Sequence, residues 1–152
     1  MTAIISEQRP GSEVRYRLRE RRMATPEEAA HFDQEPPFQV IAIERSFVAD
    51  NKVIAFEWSL LNAGVLPSDF DPAGVSGSIF AILIPLGLLP DQAVASIHAV
   101  SDDDLAWPEI RPITPLFLCL TQQSYKNDGR VIAWSKTYFT EGNFDFTLVR
   151  LR

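Results

Sequence analysis

Asp50-Asn51-Lys52-Val53-Ile54-Ala55-Phe56 recurs as Asp128-Gly129-Arg130-Val131-Ile132-Ala133-Trp134 at a constant offset (131 − 53 = 78). Ser46-Phe47 matches Ser124-Tyr125 at the same offset. Upstream of each copy stands a helix-start pattern, Thr25-Pro26-Glu27-Glu28 in the first and Ser101-Asp102-Asp103-Asp104 in the second. Solenoid periods run to roughly 50 residues, so this is no solenoid. Thr25 to Leu60 and Ser101 to Tyr138 read instead as two similar helix-plus-hairpin halves of one domain, with a cleft where the halves meet.

The hairpin register decides which side chains share a face. A two-residue loop at Asp50-Asn51 places Arg45 and Glu57 on opposite faces; a three-residue loop, Ala49-Asp50-Asn51, places them together. Gly129 occupies the position matching Asn51, and a left-handed residue closing a three-residue loop favours three in both hairpins. Ile41, Ile43, Arg45, Phe47, Val53, Ala55 and Glu57 are then expected on one face, apolar apart from one arginine and one carboxylate.

Outside the repeat, Val14-Arg15-Tyr16-Arg17-Leu18-Arg19 alternates as an edge strand with an apolar face and a solvated arginine face. Ser78 is placed to cap an apolar helix, Ile79 to Ile84, stopped by Pro85. Ala93 to Val100 reads as a strand, and Phe144, Phe146 and Leu148 alternate in a last one. The order of elements gives an α+β fold with a mainly antiparallel sheet.

Bulk composition bounds the function. The chain has 152 residues, 46% hydrophobic and 22% charged, as in an ordinary globular domain. A net charge of −6 argues against the chain gripping nucleic acid by itself. No run approaches the about 18 apolar residues of a membrane span, and Met1 to Ser12 is too polar for a signal peptide. The lone Cys119 excludes an internal disulfide and reads as a buried reduced thiol. A cytoplasmic home is the simplest inference.

Chemistry-bearing motifs are few. His31 and His98 have no His or Cys at ligand spacing, and Asp102-Asp103-Asp104 is explained by helix capping, so no metal and no cofactor is expected. No glycine-rich phosphate loop and no nucleophile elbow is present, and no catalytic residue is assigned. Arg45 and Glu57 admit two readings. They form a structural ion pair, or they line a ligand pocket in which Arg45 holds an anion through its planar fork and Glu57 accepts hydrogen bonds. Ser78 would add a hydroxyl and a helix N-terminus.

The run ATPEEAAHF (Ala24–Phe32), PPFQVIAIERSFVADNKVIAFEWSLL (Pro36–Leu61), GSIFAIL (Gly77–Leu83), SIHAVSDDDLAW (Ser96–Trp107) and PLFLCLTQQSYKNDGRVIAWSKTYF (Pro115–Phe139) resembles the UTRA domain. That is the effector-binding domain of the HutC-like branch of GntR-type transcription regulators. The resemblance spans about Arg9 to Arg152 and implies a chorismate-lyase-like fold that binds a small metabolite as a homodimer. It also implies an N-terminal winged helix-turn-helix, for which the residues ahead of Thr25 are too few. Arg45, Glu57 and Ser78 match the family's basic residue, glutamate and helix-start serine, and are the expected ligand-binding residues. Two departures matter. Phe47 stands at the strand's second basic position, while Ala133 and Phe139 stand where sugar-phosphate binders place an acid and a tyrosine, so an anionic carboxylate is favoured over a phosphate. An enzyme acting on a small carboxylate, as in chorismate lyase, is the alternative.

Overall fold

Runs of β-branched and aromatic residues, punctuated by Asn, Asp and Gly, set the strands of this protein. The computed structural model describes Ile5 and residues 7–101 and 114–152. In chain order the main elements are β1 (Glu13–Met23), α1 (Pro26–Ala30), β2 (Gln39–Ala49), β3 (Lys52–Asn62), α2 (Ile79–Leu83), β4 (Gln92–Ser101), β5 (Leu116–Tyr125) and β6 (Val131–Thr140). The strands form one six-stranded antiparallel sheet in the order β1-β2-β3-β6-β5-β4. This is the expected α+β architecture, with the two hairpins side by side and the repeat axis between β3 and β6.

The loop expectation holds for one hairpin and fails for the other. At the second, Lys126 and Arg130 pair across Asn127-Asp128-Gly129, with Gly129 at φ 88°. At the first, Ala49 pairs directly with Lys52, leaving a two-residue loop in which Asp50 and Asn51 both have positive φ, 51° and 61°. Positive φ at both central positions is the tight-turn geometry whose twist suits a hairpin.

A two-residue loop alone would separate Arg45 from Glu57, but a β-bulge restores their register. Phe47 pairs with Ala55 and Val48 with Val53, so Ile54 is the extra residue; beyond it Arg45 lies directly opposite Glu57. The bulge moves Val53 to the other face, with Val48 and Phe56, and brings Ile54 to the side of Phe47 and Ala55. The second hairpin repeats the device. Ser124 pairs with Ala133 and Tyr125 with Val131, leaving Ile132 extra as the counterpart of Ile54 (132 − 54 = 78). Because its loop is one residue longer, β5 corresponds to β2 at an offset of 77 (125 − 48), and Phe47 is equivalent to Ser124 rather than Tyr125.

Both sheet faces are covered in part. On one, Leu83 of α2, with Leu66, Val75 and Leu88 from the flanking segments, packs on Ile41, Ile43, Leu61 and Ile132. On the other, Phe32 behind α1 packs on Val40, Ala42 and Leu60. Thr25 caps α1, its hydroxyl accepting from the Glu28 amide at 3.1 Å, while the Glu28 carboxylate turns to Arg22. The helix expected after Ser101 lies outside the described residues.

Three further expectations are corrected. A bulge between Tyr16 and Leu18 breaks the alternation of β1 and sends Leu18 to the α1 face. Arg19 and Arg21 then donate to the carbonyls of Val75 and Pro67, so part of the arginine face clips the connection between β3 and α2. Residues 143–152 form no strand. Phe144 and Phe146 pack edge-on against Phe139, and Leu148, Val149 and Leu151 are exposed.

Candidate ligand cleft at the junction of the two hairpins

Strand pairing puts a cluster of polar side chains in the middle of an otherwise apolar sheet face. Across the β3–β6 junction, Trp58 pairs with Lys136, flanked by Glu57 opposite Thr137 and Ser59 opposite Ser135. Trp58 and Lys136 are themselves equivalent under the repeat (136 − 58 = 78), so the internal two-fold passes between them. On the cleft face the outer strands add Arg45 beside Glu57 and Gln122 beside Ser135. The apolar surround is Ile41, Ile43, Phe47, Leu61, Leu120 and Phe139.

Arg45 and Glu57 are 1% and 2% exposed, and the Arg45 Nε donates to a Glu57 carboxylate oxygen. Arg45 Nη1 donates to the Gly77 carbonyl at 2.7 Å, and its guanidinium lies 5.2 Å from the Phe47 ring centre. Burying two charges costs several kcal/mol each before pairing repays any of it, so the pair is weak ground for a stability argument. Its neighbours sharpen the point. The hydroxyls of Ser59, Thr137 and Tyr16, all on this face, are buried with no protein partner. Ser59 and Thr137 are equivalent under the repeat (137 − 59 = 78). Leaving a buried hydroxyl unsatisfied costs about 1–3 kcal/mol.

A cleft opens over this floor, lined by Arg45, Glu57, Ser59, Ser78, Gln122 and Ser135, with Ile79 and Phe80 of α2 at its roof. The structure therefore brings Arg45, Glu57 and Ser78 around one cavity. Ser78 occupies the cap position of α2 but makes no capping hydrogen bond with its side chain. With five residues, α2 is too short for a helix dipole to contribute much. Ala133 also lines the cavity, whereas Ile43, Phe47 and Phe139 sit in the adjoining cores. Sequence reasoning missed Ser59, Gln122, Ser124 and Ser135. The signal was present in the second hairpin, hidden by its one-residue-longer loop.

The cavity is small, about 40 Å³, little more than one water molecule occupies. Its roof is bounded by glycines at positive φ, Gly77 at 65° and Gly87 at 69°, where a Cβ would be strained. Arg45 ties this segment to the sheet beneath it through the Gly77 carbonyl. A larger groove, about 380 Å³, lies on the opposite face beside His31, Gln123 and Trp134. There the His31 ring stacks on Trp134 at 4.2 Å, and Gln123 donates to the His31 carbonyl at 2.6 Å. Both contacts join the end of α1 to the sheet. Among the described residues, no three His, Cys, Asp or Glu side chains cluster as metal ligands do.

The family model of the UTRA domain matches residues 7–145. The chain belongs to the UTRA domain family. Solved structures agree on the fold. A GntR-family transcriptional regulator from Enterococcus faecalis aligns with a TM-score of 0.77 at 20% identity, over 91% of this chain and 100% of that one. PhnF from Mycobacterium smegmatis aligns at 0.79 and 18% identity, over 99% of this chain and 67% of that one. The C-terminal domain of the histidine utilization repressor from Pseudomonas syringae aligns at 0.75 and 12% identity, over 93% and 99% of the two chains. At these identities the likeness shows a shared fold. No curated protein matches the sequence. As a UTRA domain, the chain is of the effector-binding type found in GntR-family transcription regulators.

Proposed function

We propose that this UTRA domain senses a small anionic metabolite in the cleft between its hairpins, with Arg45, Glu57 and Ser78 as ligand-binding residues. The observation that carries the reading is the buried polar floor, in which an ion pair and the unpartnered Ser59 hydroxyl line the cleft, with the unpartnered hydroxyl of its repeat mate Thr137 buried beside Glu57. The anionic group, a carboxylate, engages Arg45 in competition with the Gly77 carbonyl. Ser78 supplies a hydroxyl, and Glu57 accepts from ligand hydroxyl or amine groups. Lifting α2, together with Gly77, away from Arg45 converts occupancy into a shape change, and a ligand that favours the lifted form shifts the population toward it.

We read the cleft as a sensor rather than a catalytic centre. One oxygen of Glu57 is already engaged by Arg45, which suits a binding group better than a general acid. The domain works as a homodimer in the cytoplasm, passing the shape change to a DNA-binding domain of the same regulator. Light scattering checks the dimer, and a monomeric mass at high concentration would count against it.

The test of the site is a calorimetric screen of metabolites on wild type and Arg45→Ala. A ligand anchored at Arg45 loses about 2–5 kcal/mol of affinity in the variant, the usual cost of truncating one partner of a buried charged pair. Arg45→Lys recovers only part, because a point charge does not reproduce the planar fork. A ligand that binds Arg45→Ala as tightly as wild type removes Arg45 from the site.

A further inference from the structure

The two hairpins present equivalent positions to the cleft, and the two halves have filled them differently. Glu57 and Ser135 are repeat mates at an offset of 78 (135 − 57), and with β5 matching β2 at 77, Arg45 is the mate of Gln122 (122 − 45). The cross-strand pairs agree, Arg45 opposite Glu57 in one hairpin and Gln122 opposite Ser135 in the other. All four line the same cleft, with Ser59 at the axis between them. The floor thus has a charged arm and an uncharged arm.

We propose that Gln122 and Ser135 are the specificity arm of the site, and that the effector is a monocarboxylate bearing a hydroxyl or amide group at its far end. The proposal rests on the reading of the cleft as the effector site and adds the class of ligand. A carboxamide and a hydroxyl each donate and accept, so they recognise hydroxyl and amide groups of either polarity. The Gln122 amide makes only a long contact, 3.3 Å, to the Ser124 hydroxyl and can be redirected at small cost.

Charge sets the other limit. Among the described residues that line the cleft, Arg45 is the one cation, and it serves the carboxylate end. Arg19 and Arg21 are engaged with the carbonyls of Val75 and Pro67, and Lys136 points to the opposite face beside Tyr138. A second anionic group at the far end would be buried with no counter-charge among the described residues, which is strongly unfavourable. An apolar far end would leave the buried Ser59 hydroxyl without a partner and cover the half-buried Gln122 and Ser135 with nothing to bond to, which disfavours it.

Four size-matched probes separate these cases: succinamate and 4-hydroxybutyrate, with an amide or hydroxyl far end; butyrate, with an apolar one; and succinate, with a second charge. Calorimetric titration of the intact chain should show succinamate and 4-hydroxybutyrate binding at least about tenfold more tightly than butyrate and succinate. Gln122→Leu should abolish that preference by weakening succinamate and 4-hydroxybutyrate and tightening butyrate, with a thermal melt confirming its fold. Butyrate or succinate binding as well as succinamate overturns the ligand class, as does an unchanged preference in Gln122→Leu or no binding of any probe. Arg45→Lys separates the two levels. If it leaves succinamate affinity at the wild-type value, the effector-site reading itself fails; if it weakens all four probes alike, that reading stands whatever becomes of the specificity arm.

Discussion

Ser59 and Thr137 carry the sharpest residue-scale consequence of the fold. A buried hydroxyl without a protein partner weakens the free domain, so an apolar group of similar shape should stabilise it. Thr137→Val, which keeps the branched shape, is expected to raise the stability of the ligand-free protein by about 0.5–1 kcal/mol, read as a higher melting temperature. Ser59→Ala should be neutral or slightly stabilising for the same reason. A clear loss of stability in Thr137→Val would mean that the hydroxyl is structural and would take away the best reason for calling this floor a ligand surface. Residues of this kind are hard to read from sequence. Ser59 and Thr137 look like ordinary strand residues until the pairing of β3 with β6 sets them beside Arg45 and Glu57 on one buried face.

At the scale of elements, the first hairpin shows how two opposite features produce one register. Its loop is two residues, not three, and the bulge at Ile54 undoes the face change that such a loop imposes. Asn51 at φ 61° predicts that Asn51→Ala costs about 1 kcal/mol, whereas Asn51→Gly is neutral or stabilising. Chemical denaturation of the two variants checks this, and an alanine variant as stable as wild type would contradict the left-handed turn. The turn residues were legible, as were both hairpins, the cap at Thr25 and the shared face of Arg45 and Glu57. The bulge was not, because Val53, Ile54 and Ala55 are all apolar and nothing in an apolar run marks which residue is extra. The same ambiguity hid Gln122, since matching the halves at one uniform offset sets Phe47 against Tyr125 and puts β5 out of phase by one. The tail was misread for a different reason: Phe144 and Phe146 alternate as in a strand, but they are anchored by packing on Phe139 rather than by a pairing partner.

For the whole molecule, two hairpins related by an internal two-fold give a cleft whose floor is rigid sheet and whose roof is the segment between Gly77 and Gly87. The strands are tied by ladder hydrogen bonds on both sides of the cleft, whereas the roof is held by the packing of Leu83 and Leu88 and by Arg45, which reaches the Gly77 carbonyl. Sheet is expected to stay and roof to move, because elements with few contacts open at lower free-energy cost. On the proposed reading, effector binding and a change in shape are the same event, and any attached DNA-binding domain would read the roof and not the floor. The measurement that tests this most directly is amide hydrogen exchange with and without the first metabolite found to bind in the calorimetric screen. Changes in protection are expected to concentrate in residues 77–87 and at Ser59, Ser135 and Thr137. Protection confined instead to the opposite face, around His31, Gln123 and Trp134, would contradict a cleft that senses by lifting its roof.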